Sequence, residues 1–159
     1  MKRKLIKQSL ILALIFVLFV PSIKATASIS NQQLEKSIDK IENIRKQYMS
    51  ISQNGYINHF QQKSNKSNID LVHVYISQIS DIRTELEEYK KNDLDKFAKR
   101  KITTLIAITL YLEDMGQNLI DYLSETKVQD QVDYYDIHLR INSFILSALT
   151  NVKDELSLK

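Results

Sequence analysis

The sequence predicts an all-α fold: an antiparallel up-down-up-down four-helix bundle preceded by a cleavable signal peptide. Three observations carry that prediction. Apolar residues recur at alternating three- and four-residue steps through four segments, and helix breakers are scarce there, with glycine only at 55 and 116 and the single proline, Pro21, ahead of them all. The first 27 residues also have the three-part layout of an export signal.

In that leader, Lys2, Arg3, Lys4 and Lys7 give a cationic start, residues 10–20 are an unbroken apolar run of 11, Pro21 ends it, and Ala25-Thr26-Ala27 offers a small-residue cleavage site. The pattern predicts a secretory signal peptide over 1–27, cut after Ala27, and one helical domain over 28–159. A run of this length falls short of the roughly 17 to 25 apolar residues a transmembrane helix needs. Acylation as a lipoprotein would require a cysteine, and the chain has none. The expected location is therefore secreted or extracytoplasmic, with membrane contact only at export or by peripheral association. Usage of 21 Ile against 7 Val, with abundant Lys and Asn, suggests an AT-rich bacterial genome.

The first helix is expected over about 31–52. Leu34, Ile41, Ile44, Tyr48 and Ile51 form its apolar stripe, widened by Ile38, and Ser30 with Gln33 marks its start. Residues 52–68 read as a longer connection ending in the polar run 63–68, and Tyr56, Ile57 and Phe60 within it read as a lid over one end of the bundle. The second helix, 68–91, carries Ile69, Val72, Ile76, Ile79, Ile82, Leu86 and Tyr89, with Ser67 and Asp70 at its start. The third, 93–124, carries Leu94, Phe97, Ile102, Leu105, Leu112, Leu119 and Leu123, its seam interrupted by Thr109 and Gly116, with Asn92 and Asp95 as start signal. The fourth, 130–157, carries Val132, Tyr135, Leu139, Ile145, Leu149, Val152 and Leu156 after Asp130 and Asp133. Short links at 91–93 and 125–129 make sequential helices antiparallel neighbours.

Charge narrows the partners. Five of the 22 Lys+Arg residues lie in the leader, which holds no acid, so the remaining 17 face 19 Asp+Glu and the mature part is slightly acidic. That balance gives no cationic face for nucleic acid. Catalytic chemistry is equally thin. Without cysteine there is no thiol nucleophile, thiolate metal site or disulfide; no Gly-rich phosphate loop or G-x-S-x-G elbow occurs. A diiron bundle needs Glu-x-x-His pairs; Asp70 and His73 only approximate one, and Tyr135 occupies the position three before His138. His73 and His138 read instead as boundary residues with one nitrogen in water. Adjacent acids at 87–88 and 113–114 diverge by about 100 degrees on a helix and read as a solvated face. No enzyme, cofactor or metal is expected.

The positive signal is an excess of hydrophobicity. Residues 102–112 hold no charge and carry apolar side chains all round the helix, and 144–149 echo this. One stripe per helix is all a bundle buries, so Ile106, Ile108, Tyr111, Phe144 and Leu146 are the candidate interface. The expected function is non-enzymatic binding, to a protein partner or as a homodimer. The alternatives are a small-ligand or sensor-like bundle with its pocket near Thr109, Gly116 and His138, or an immunity or exclusion protein of the cell envelope, for which the chain supplies only location.

Overall fold

The computed structural model describes residues 31–157; the signal-peptide reading of 1–27, its cleavage after Ala27 and the Ser30 cap lie outside the described residues. Among the described residues there are four helices and no strand: α1 (Asn31–Phe60), α2 (Lys66–Lys90), α3 (Lys96–Ser124) and α4 (Val128–Ser157). They form a four-helix bundle around one apolar core. Leu34, Ile38, Ile41, Ile44, Tyr48 and Ile51 come from α1, Val72, Ile79, Ile82 and Leu86 from α2, and Ile145, Leu149, Val152 and Leu156 from α4. The largest share comes from α3, including Ile102, Leu105, Ile108, Leu112, Met115 and Leu119.

Ion pairs mark the neighbours around the bundle. Lys40 reaches Glu85 at 3.0 Å between α1 and α2, Arg83 meets Glu113 between α2 and α3, Arg100 reaches Glu155 at 3.2 Å between α3 and α4, and Lys153 meets Glu42 between α4 and α1. Pairs this near solvent are worth about 0–1 kcal/mol each, so apolar burial holds the helices together and the charges select partners. Across the diagonals the bundle is unequal. α1 touches α3, while α2 does not reach α4.

Both of the chain's glycines lie on that α1–α3 diagonal. A Cβ on Gly116 of α3 would stand 2.5 Å from the Tyr48 hydroxyl and 3.0 Å from its Cζ, and a Cβ on Gly55 of α1 would strike Leu123 of α3. Each helix thus gives up one side chain to admit the other. A mid-helix glycine costs about 1 kcal/mol in helix propensity, and here that loss is offset by packing Tyr48 into the core with essentially no exposure.

This explains the main departure from the expected boundaries. α1 does not stop near 52 but runs to Phe60, because Gly55 faces α3 and keeps the last turns packed. Tyr56, Ile57 and Phe60 consequently point outward and form no lid; Phe60 is 83% exposed. The link to α2 takes only Gln61 to Asn65, through a left-handed Gln62 at φ 53°. Starts shift as well. α2 begins at Lys66 after Asn65, ahead of the expected Ser67, and Asp95, the residue expected to reach back to Asn92, is itself the N-cap of α3, accepting from the Ala98 amide at 2.8 Å. α4 begins at Val128, before Asp130.

Helix ends are closed by side chains from elsewhere in the fold. The last four carbonyls of a helix lack intrahelical partners. At the end of α3, His59 Nε2 donates to the Tyr122 carbonyl at 3.1 Å and Asn65 Nδ2 donates to the Leu123 carbonyl at 3.4 Å. Asn65 Oδ1 in turn accepts from Asn58 and Asn68. At the end of α4 the buried Lys101 donates to the Glu155 carbonyl at 2.9 Å.

Gly116→Ala is expected to destabilise the bundle by about 1–3 kcal/mol through overpacking against Tyr48, read as a lower midpoint in urea. Adding Tyr48→Phe, which removes the nearest atom, should recover part of that loss.

Candidate interaction surface

Five side chains from the uncharged runs of α3 and α4 were candidates for one exposed patch, and the structure divides them. Ile108 is 1% exposed and belongs to the core, because α3 is covered by all three other helices and its buried arc is wider than one stripe. Ile106 is half-buried and packs against the core. It lies two turns before Glu113, whose carboxylate meets Arg83, so it occupies the α2 flank of α3. Leu146 is exposed but stands seven residues before Lys153, the partner of Glu42, which places it on the α1 flank of α4.

Only Tyr111 and Phe144 come together. Their rings lie 4.5 Å apart at 56° across the outer seam of α3 and α4, and they are 43% and 50% exposed. Around them the surface is uncharged on both helices: residues 102–112 of α3 lie beside residues 141–152 of α4. The contacts Arg100–Glu155, Tyr111–Phe144 and Met115–His138 fix this alignment. The neutral band is about 16–18 Å long at 1.5 Å per residue. Exposed Ala107 and half-buried Ala148 sit one turn from the aromatic pair and leave the band low at its centre.

The expected pocket near Thr109, Gly116 and His138 is closed. Thr109 and His138 are wholly buried, the Thr109 hydroxyl donates to the Ile106 carbonyl at 2.7 Å, and Tyr48 fills the space beside Gly116. His138 is not a boundary residue with a wet nitrogen. Its Nδ1 donates weakly to the Met115 carbonyl at 3.4 Å, Nε2 makes no hydrogen bond within the protein, and Tyr135 stacks on the ring. Burial disfavours the imidazolium and pushes its pKa from 6.5 down to about 4. His73 is exposed on α2.

A different hollow opens at the bundle end, where α1 and α3 finish and α4 begins. It encloses about 340 Å³ and is lined by Tyr56, Tyr122, Val128, Gln131, Val132 and Tyr135. Burial raises the Tyr122 pKa to about 12, so its phenol stays protonated. Behind it, Gln131 Nε2 donates to the Glu125 carbonyl at 2.7 Å and lies 3.2 Å from His59 Nδ1. With His59 Nε2 donating to Tyr122, its Nδ1 accepts. The sequence signal for this end was Tyr56 and His59 three residues apart, hidden by assigning them to a loop.

Among the described residues no group of three His, Asp or Glu side chains gathers as a metal site, and no helix is long and apolar enough to cross a membrane. Comparison with protein-family models, with curated proteins and with solved structures finds no match to this chain.

Two outcomes follow. Ile108→Asp should unfold the bundle, since a buried unpaired carboxylate is among the few changes that cost more than about 4 kcal/mol; circular dichroism would show the loss of helix. His138 should give stability an acid limb. Its folded pKa lies below the unfolded value, so the contribution is complete above about 6.5 and lost as pH falls toward about 4, by up to about 3 kcal/mol. His138→Gln should flatten that part of a urea-midpoint profile against pH.

Proposed function

We propose that this chain is an exported, non-enzymatic helical protein that works at the cell envelope or outside it by binding protein through the outer seam of α3 and α4. The carrying observation is the Tyr111–Phe144 pair, half-exposed toward one end of a band without charge on either helix. Aromatic side chains standing in contiguous apolar surface mark association sites, because leaving each in water forgoes about 1.5–3 kcal/mol of burial. Export is supported by the leader pattern over 1–27. The up-down-up-down antiparallel arrangement is supported by cross-helix pairs that join early residues of one helix to late residues of its neighbour: Lys40 with Glu85, Arg100 with Glu155, and Glu42 with Lys153.

A small-ligand reading has one observation in its favour, the hollow at the bundle end, which has moved from the expected Thr109, Gly116 and His138 to Tyr56, Tyr122 and Tyr135. Its volume is near the low end of ligand pockets, roughly 300–1,000 Å³.

The test of the binding reading is retention of a partner by immobilised protein. Tyr111→Lys should reduce retention at least about tenfold by placing a charge where burial is required, with the circular dichroism spectrum unchanged because Tyr111 lies outside the core. Retention that is indifferent to Tyr111→Lys counts against the seam.

A further inference from the structure

The proposed binding face has an internal symmetry that says what fits it. On α3, Arg100, Ala107 and Asp114 stand one heptad apart; on α4, Arg140, Ser147 and Asp154 do the same, and all six are exposed. Residues seven apart on a helix share a face, being two turns from one another. Each helix therefore presents an arginine, a small residue and an aspartate in the same order at the same spacing. Arg100 with Glu155 and Tyr111 with Phe144 set the alignment, so Ala107 and Ser147 stand at about the same height.

We infer that the partner of this face is a second copy of the chain, related by a two-fold axis that crosses both helices at the level of Ala107 and Ser147. This rests on the binding reading above. A rotation about that axis lays α3 on α3 and α4 on α4 with reversed direction. Position −7 of each helix then meets position +7 of its copy, so Arg100 faces Asp114 and Arg140 faces Asp154, each twice. An isologous interface demands this kind of self-complementarity. Bulk agrees with charge. Tyr111 lies four residues to one side of the axis on α3, where the same displacement on the other side carries Thr103, and Phe144 lies three residues to one side on α4, where the matching position is Thr150, so each copy's ring pair meets small residues of the other.

A two-fold axis running along the helices would also pair opposite charges, α3 on α4, but it stacks the two aromatic layers on each other and holds the alanine level apart. Area suffices. Reversal about that axis overlaps 96–118 of α3 and 137–157 of α4 with their copies, about 34 and 31 Å of helix each about 10 Å across, which offers roughly 650 Å² per partner, inside the lower end of the ≈ 1,200–2,000 Å² total of specific interfaces.

The chain's lack of cysteine makes the test direct. In the full chain, single variants Ala107→Cys and Ser147→Cys should each form a disulfide-linked dimer on mild oxidation, while Leu146→Cys, on the α1 flank, should not. Arg100→Asp should weaken the dimer measured by sedimentation roughly tenfold, and Asp114→Arg in the same chain should restore it, which loss of the intramolecular Arg100–Glu155 pair cannot explain. Linking of Ala107→Cys only with Ser147→Cys chains overturns the arrangement. A chain that stays monomeric at about 0.1 mM while immobilised protein still retains another protein through Tyr111 overturns the second copy and leaves the binding reading standing. Association of every kind indifferent to Tyr111→Lys overturns both.

Discussion

The close approach of α1 and α3 across the diagonal of the bundle is the constraint on which the rest depends. It exists because each helix surrenders a side chain at the crossing, Gly55 against Leu123 and Gly116 against Tyr48. Drawing one diagonal in pushes the other out, so α2 and α4 do not meet and α3 acquires contacts with every other helix. A helix with neighbours on three sides buries more than one stripe. That is why Ile108, Thr109 and Met115 are all inside, and why five residues of a run that looks too greasy for a bundle, Ile102, Leu105, Ile108, Thr109 and Leu112, are core.

The same crossing organises the bundle end. With Gly55 packed, α1 continues to Phe60 and delivers His59 to the final carbonyls of α3, where Asn65 from the tight link joins it. A helix end that water would otherwise satisfy is thereby closed by tertiary hydrogen bonds. Phe60 and Tyr56 are turned out by the same register, and with Val128 and Val132 they give that end an apolar rim.

What remains on the surface of the uncharged runs is narrow but coherent. Half-buried Ile106 and exposed Leu146 sit on opposite flanks, leaving one seam where an aromatic pair, small residues and symmetrically placed charges share a face. A buried neutral His138 stacked under Tyr135 connects this region to the bundle end through the core. Among the described residues no three His, Asp or Glu side chains gather as a metal site.

Periodicity alone was enough to place four helices and most of their buried stripes, because the 3.6-residue turn converts spacing into a face before any partner is known. Leu34, Ile41, Leu105 and Leu149 were legible as core for that reason. Composition was likewise enough to exclude thiol chemistry, since an absent residue has no context to change it. How a helix end is satisfied, how wide a buried arc becomes and which exposed residues are neighbours were decided only in three dimensions. Gly55 read as a breaker until Leu123 of α3 gave it a reason to sit inside a helix, and Ile106, Ile108 and Tyr111 read as one patch until their neighbours assigned them to a flank, the core and a seam. These are properties of pairs of helices, and no single helix encodes the direction from which its neighbour will come.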